Sequence, residues 1–123
     1  MGVSEKVASL VVDESGDVLA ERVFFARSSK DRRRGLRGRP RLRAGEALWL
    51  EPAPQIQTFG MGYPIDVVFC DRDMTVRHVV RNMKPGRITR WVLRGRRAIE
   101  FPAGAVDERV RPGVRMRLTE PRT

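Results

Sequence analysis

Histidine and cysteine, the side chains most often used as general bases and nucleophiles, each occur once in this chain, as His78 and Cys70. A structural zinc site usually has four protein ligands, so these two residues alone cannot form one. Cys70 ends an apolar run and His78 lies on the apolar face of a predicted strand, which is typical of core residues. A Cys70–His78 dyad is conceivable, because a turn at residues 71–73 would make their strands neighbours. We predict no metal, no cofactor and no catalytic residue.

Two carboxylates interrupt apolar runs, Asp66 within residues 65–69 and Glu100 within residues 98–101. Burying an unpaired carboxylate costs a large free energy, so each must face solvent or have a partner. A structural ion pair with an arginine is one interpretation. The other is a polar anchor or acid–base pair in a pocket.

A short segment before Asp66 places two aromatic residues and a methionine around two glycines, at residues 58–64. Glycine permits positive φ and close approach by another group. The segment could line a ligand pocket or cross the core between strands. The pocket interpretation makes Thr58, Phe59 and Met61 candidate ligand residues together with Asp66 and Glu100.

The charge of the chain is concentrated in two segments. Its 123 residues include 25 Lys+Arg and 15 Asp+Glu, for a formal net charge of +10. Residues 30–43 are net +7 and residues 77–97 net +8, which leaves −5 for the rest. Guanidinium groups bind phosphate well, which suggests a nucleic acid or another anionic partner. The alternative explanation is the codon bias of a GC-rich genome, which favours arginine over lysine. The candidate anion-binding residues are Arg32, Arg33, Arg34, Arg37, Arg87 and Arg90.

Strand and turn signals dominate the chain. Apolar runs at residues 7–12 and 18–25 predict a hairpin around residues 14–17. Ser28 is the predicted N-cap of a two-turn surface helix, which Gly35 and Gly38 end and which docks through Leu36. Further strands are predicted at residues 47–51, 56–59, 65–70, 74–83, 97–101 and 114–118, and one helical turn at residues 105–109. In the long strand, a period of two places Met74, Val76, His78 and Val80 on one face.

These signals predict a mostly β (α+β) single domain over residues 1–123, β-barrel-like or a strongly bent sheet, with one or two short helices. The N-terminus lacks the charged and apolar regions of a signal peptide. No apolar stretch approaches the roughly 18 residues of a membrane span. We expect a cytoplasmic location and no membrane partner.

Three short stretches resemble the bacterial and archaeal family known as domain of unknown function 192. They are residues 34–39 (RGLRGR), residues 58–61 (TFGM) leading into 64–69 (PIDVVF), and residues 100–104 (EFPAG). The resemblance covers about residues 20–118 and implies a small, mostly β domain without an established activity, substrate or cofactor. The resemblance implies these family hallmark residues: Gly35, Leu36, Thr58, Phe59, Met61, Ile65, Asp66, Glu100, Pro102 and Gly104.

The chain departs from the family pattern at three places. Relatives often carry His where this chain has Gln57, and an acidic residue where it has Val114. The cysteine that is frequent in relatives is absent from residues 51–56. Any family chemistry that uses these side chains is therefore not available here in the same form.

The leading hypothesis is a non-enzymatic binding or accessory module with a basic anion-binding surface, because no nucleophile, metal set or cofactor motif stands out. The alternative is a small enzyme or ligand-binding pocket built on Asp66, Glu100 and the Thr58–Met61 loop. The placement of the two carboxylates discriminates the hypotheses. A shared site requires that both converge on a concave pocket with Met61.

Overall fold

Two β-sheets make up most of the computed structural model, which describes residues 3–6 and 8–119. In chain order the elements are β1 (Val3–Lys6), β2 (Ser9–Val12), β3 (Val18–Ala20), β4 (Arg22–Ala26), α1 (Ser29–Arg34), β5 (Glu46–Leu50), β6 (Ile65–Cys70), β7 (Val76–Met83), β8 (Arg97–Pro102) and β9 (Met116–Thr119). The larger sheet has the order β1-β4-β5-β8-β6-β7 and the smaller one β3-β2-β9. The mostly β, single-domain prediction is confirmed, and the described strands form no closed barrel.

One strand pair requires the helix. β4 and β5 are parallel, with Val23 opposite Ala47, whereas the other paired strands are antiparallel. Parallel neighbours need a crossover connection, and here α1 and residues 35–45 supply it. This crossover brings the first basic segment onto one face of the larger sheet.

Apolar side chains cover both faces of the larger sheet. One cluster joins the two sheets and includes Leu10, Phe25, Val68, Phe101 and Met116. A second cluster lies on the opposite face and is covered by loop residues that include Leu36, Ile56, Met61 and Val92. β6 is buried along its whole length because it has core on both sides. A carboxylate on β6 or β8 therefore lies in one cluster or the other.

Helix α1 begins as the sequence predicts. The Ser28 hydroxyl accepts a hydrogen bond from the backbone N–H of Asp31 (3.1 Å) and donates one to the Asp31 carboxylate (2.7 Å). Gly35 ends the helix, and Leu36 is buried against the sheet. The sequence did not predict that Asp31 is buried. In this buried position Asp31 also forms an ion pair with Arg39. No helix among the described residues is long and apolar enough to cross a membrane.

The predicted hairpin is confirmed, but its second run is two strands rather than one. β2 pairs with β3 around a turn in which Gly16 has φ +75°, whereas Val7 of the predicted first strand lies outside the described residues. The chain then changes sheet at Glu21, because the backbone N–H groups of Glu21 and Arg22 both donate to the carbonyl of Gly45. β4 therefore joins the larger sheet.

Two predicted elements are wrong. Residues 56–59 form a single bridge, Gln57 to Ile88, rather than a strand. The Ile56 N–H donates to the hydroxyl of Thr89 instead of a backbone carbonyl, which interrupts the ladder. Residues 105–109 form turns rather than a helical turn.

The single apolar face predicted for residues 74–83 is also wrong. β7 has two register shifts against β6, and each shift moves the following side chains to the other face. Val76 and Val79 consequently pack in the cluster between the sheets, whereas Val80 and Met83 pack in the opposite one.

Candidate functional site

A cleft of about 480 Å³ lies between helix α1 and the segment at residues 52–57. Buried residues form its floor and walls, among them Leu36, Leu50, Ile56, Met61 and Glu100. Arginines from α1 and the turn after it stand at the mouth, and so does Trp91. The cleft thus combines apolar walls, one buried carboxyl group and a cationic mouth.

Glu100 is the buried polar group of this cleft. It lies on β8, flanked by Leu48 on β5 and Val67 on β6. The residue is 2% exposed, and no described group donates a hydrogen bond to its Oε1. Burial raises the pKa of the Glu100 carboxyl to about 8. A carboxyl in this state is protonated at neutral pH and can be ionised by a ligand that offers it hydrogen-bond donors.

Gly35 packs against the Glu100 carboxyl on the helix side. Its backbone has φ +54°, which favours glycine, and its N–H donates to the Asp31 carbonyl to end the helix. A Cβ at position 35 would lie 3.8 Å from Glu100 Oε1. This distance is an ordinary van der Waals contact, so the positive φ, and not a lack of space, explains the glycine at this family hallmark.

Four arginines at the mouth have no carboxylate partner within the described part of the chain; they are Arg32, Arg33, Arg34 and Arg37. Three of them donate to backbone carbonyls instead. Arg34 Nε bonds the Arg37 carbonyl (2.9 Å), Arg37 Nη2 bonds the Arg33 carbonyl (2.6 Å), and Arg32 bonds the carbonyl of Arg27. These contacts order the guanidinium groups without neutralising their charge.

Two arginines outside the cleft form ion pairs with carboxylates. Arg97 pairs with Glu51 (3.1 Å) and Arg77 pairs with Asp71 (2.7 Å). Burial acts to raise the pKa values of Glu51 and Asp71, but hydrogen bonds from Trp49 and from the Thr75 backbone, together with these arginines, lower both values below their usual range. Arginines outside the cleft, among them Arg72, Arg94 and Arg111, also form no ion pair among the described residues, so the four at the mouth are distinguished by their position around one cleft.

Trp91 is an exposed cleft residue that was not predicted as a site residue from the sequence. It is 65% exposed, whereas Trp49 is 4% exposed and donates its Nε1–H to Glu51 (3.0 Å). Its position inside the second basic segment was visible in the sequence. Its place opposite helix α1 was not, because that depends on the path of residues 84–96.

Asp66 lies on the opposite face of the sheet from the cleft. Its Oδ1 accepts from the N–H of Asn82 (2.8 Å), and its Oδ2 accepts from Gly104 and Val106 (both 3.0 Å). The carboxylate holds the bulge of β7 to the loop after β8. The structure therefore does not bring Asp66 together with Glu100.

The residues of the 58–64 segment have separate environments. Thr58 is fully buried, and its hydroxyl donates to the Lys84 carbonyl (2.7 Å) and accepts from the Arg87 N–H (2.9 Å). Phe59 is 52% exposed and does not line the cleft, whereas Met61 does. Of the predicted pocket residues, the cleft contains Met61 and Glu100.

The second basic segment contributes Trp91 to the cleft but none of its predicted arginines. Arg87 lines a separate shallow groove with Ile88. Arg90 lies against His78, with Nη2 3.5 Å from Nδ1. Of the six predicted anion-binding arginines, the four from the first segment surround the cleft.

Cys70 and His78 do not form a dyad. His78 lies opposite Phe69 in the ladder, whereas Cys70 lies opposite Val76 and packs in the cluster between the sheets. Burial raises the pKa of the Cys70 thiol to about 12, and burial together with Arg90 lowers the pKa of His78. Within the described ranges, no three His, Cys, Asp or Glu side chains are grouped as metal ligands.

The family relationship is settled by a match over most of the chain. Residues 10–118 match the model of the family DUF192, described as "Uncharacterized ACR". This chain belongs to the DUF192 family. No curated protein is significantly similar to it.

Two crystal structures share the fold of this DUF192 chain. One is a "putative transcription regulator" from Sinorhizobium meliloti 1021, with 22% identity, 96% coverage of both chains and a TM-score of 0.77. The other is a protein of unknown function from Novosphingobium aromaticivorans DSM 12444, with 19% identity and a TM-score of 0.74. It covers 89% of this chain and 82% of that chain. At these identities the likeness shows the fold.

Proposed function

We propose that this chain is a non-enzymatic binding module that holds an anionic partner, single-stranded nucleic acid, at the mouth of the cleft. The observation that carries the proposal is the set of four arginines around the cleft without a carboxylate partner in the described part of the chain. Such a group attracts phosphate, which guanidinium binds through two parallel hydrogen bonds. The proposal includes a cytoplasmic location, where this partner is available.

Trp91 favours a single strand over other anions. Its indole is exposed beside the arginines, and unpaired bases stack on exposed aromatic rings while the backbone follows the cations. Each stacked base contributes about 1–3 kcal/mol in such complexes.

Salt dependence tests the proposal. Neutralisation of about four phosphates of a single strand predicts a slope of log K against log salt near −2.8. The affinity for a labelled dT12 should then fall about fiftyfold between 50 and 200 mM NaCl. Fluorescence anisotropy at these two salt concentrations measures it. Absence of binding at 50 mM NaCl, or an affinity independent of salt, would refute the proposal.

A small enzyme is the second candidate, favoured by the protonated Glu100 in a cleft. Among the described residues that line the cleft, Ser29 carries a possible nucleophile and Glu100 a possible acid. An acid alone supplies only part of an acid–base mechanism. Because Asp66 lies on the opposite face, the binding module remains the function that the geometry supports better.

A further inference from the structure

The interior of the cleft differs chemically from its mouth. The side chains of Leu36, Leu50, Ile56 and Met61 form apolar walls, and a single buried carboxyl group, Glu100, lies among them. A ligand that fills this space needs a flat or apolar body and a polar edge. Its charged portion must remain outside with the arginines.

The Glu100 carboxyl has the properties of an unused recognition group. It is 98% buried, it lines the cleft, and its Oε1 has no partner among the described residues. Buried polar atoms are nearly always hydrogen-bonded, so an unpaired oxygen on a side chain that lines a cleft points to a ligand that supplies a donor.

A nucleotide combines a flat body that has a polar edge with a charged portion. Its base is flat and presents hydrogen-bonding groups along one edge, and its phosphate is anionic. The cleft volume of about 480 Å³ lies within the usual range of about 300–1,000 Å³ for small-molecule sites. Proteins that read single strands bind splayed bases by stacking and by hydrogen bonds to the Watson–Crick edge.

The carboxylate selects among the bases. An ionised carboxylate only accepts hydrogen bonds, through two adjacent oxygens. Guanine presents two adjacent donors on its Watson–Crick edge, N1–H and the N2 amino group. Adenine, cytosine and thymine each place an acceptor beside a donor on that edge. Guanine is therefore the base that matches both oxygens.

We propose that the cleft is a guanine-recognition subsite, in which Glu100 accepts hydrogen bonds from the base, Trp91 stacks at the mouth and the arginines bind the phosphate. This inference rests on the proposed function, since the base is presented by the same single strand. Tyr63 interacts with the carboxyl, and its pKa is raised by burial and by Glu100, whereas the mouth arginines line the same cleft. Because burial keeps the free Glu100 carboxyl protonated at neutral pH, binding of guanine releases a proton.

Oligonucleotides with one substituted base test this subsite at pH 8.5, above the pKa of about 8 of the Glu100 carboxyl. A dT12 with a single central dG should bind about tenfold more tightly than dT12, whereas single dA or dC should have little effect. A dT12 with a single central deoxyinosine, which lacks the N2 amino group, should bind about threefold more tightly than dT12. Glu100→Gln should abolish the preference for dG over dT, because glutamine offers only one acceptor.

Controls separate this inference from the proposed function. Glu108→Gln changes an exposed glutamate outside the cleft and should leave the preference for dG intact. Equal binding of the dG and dT strands, or a dG preference that survives Glu100→Gln, overturns the guanine subsite alone. Tight binding of guanosine monophosphate but not uridine monophosphate, with no binding of any strand, supports the subsite and overturns the nucleic-acid function.

Discussion

Asp66 and Glu100 lie on neighbouring strands, one position apart in register, and project from opposite faces of the larger sheet. Val67 is opposite Glu100, and Asp66 is opposite Phe101. Asp66 accepts three backbone hydrogen bonds, whereas Glu100 Oε1 accepts none from the described residues. The same chemical group therefore stabilises the fold at one position and is available to a ligand at the other.

The Glu100 carboxyl should make stability depend on pH. Burial raises its pKa from 4.5 to about 8, so between these values the folded state holds a proton that the unfolded state has lost. Stability therefore decreases as the pH rises through this range, by about 1.4 kcal/mol per pH unit from this group. Glu100→Gln removes this dependence. The free energy of unfolding of this variant, relative to that of the wild type, should therefore increase from pH 5 to pH 8.

Urea unfolding of both proteins at pH 5, 6.5 and 8 measures this difference. Contributions from His78 and the paired carboxylates cancel in the comparison, because both proteins contain them. A difference that does not change with pH would show that the carboxyl is ionised in the folded state.

Asp66→Asn should destabilise the fold by about 2–4 kcal/mol, because the asparagine NH₂ group would face backbone N–H donors that need an acceptor. Asp107→Asn is the matched control. Asp107 is exposed and pairs with Arg109 at 2.7 Å, so its loss should cost no more than about 1 kcal/mol. Thermal unfolding at pH 7 compares the stabilities of the two variants. Equal losses of stability would contradict the structural role of Asp66.

Thr58→Val should destabilise the fold by about 1–3 kcal/mol, since it leaves the Arg87 N–H and the Lys84 carbonyl without their hydroxyl partner. Thr58→Ser keeps the hydroxyl and should lose less. Chemical unfolding ranks the two variants. A serine variant less stable than the valine variant would show that the methyl group, rather than the hydroxyl, matters at this position.

Trp91 should report strand binding through its fluorescence. A base that stacks on the exposed indole should quench its emission, while the buried Trp49 provides a constant background. Trp91→Leu should remove the quenching and weaken the affinity for dT12 by fivefold or more. Unchanged affinity in this variant would exclude stacking at the cleft mouth.

The sequence was sufficient for much of the fold. The Ser28 cap, the β2–β3 hairpin and the apolar run that became β6 depend on neighbouring residues, and each was predicted. The errors arose where distant groups changed local geometry. The Thr89 hydroxyl interrupts pairing at Ile56, and the register shifts in β7 redistribute an otherwise regular pattern.

The candidate site was predictable only in part. Glu100, Met61 and the arginines of the first basic segment were identified from their residue types and positions. Their convergence depends on the β4–β5 crossover, which places α1 over the sheet face that carries Glu100. The separation of Asp66 from Glu100 depends on strand register, which residue spacing did not reveal.

Charge reversal at the cleft mouth tests the central claim most directly. The Arg33 side chain has no hydrogen bond or ion pair among the described residues, and neither has that of Arg111, which lies outside the cleft. Arg33→Glu and Arg111→Glu make the same change in net charge. We predict that Arg33→Glu weakens dT12 binding at 50 mM NaCl at least tenfold more than Arg111→Glu does. Equal affinities of the two variants would contradict binding at the cleft.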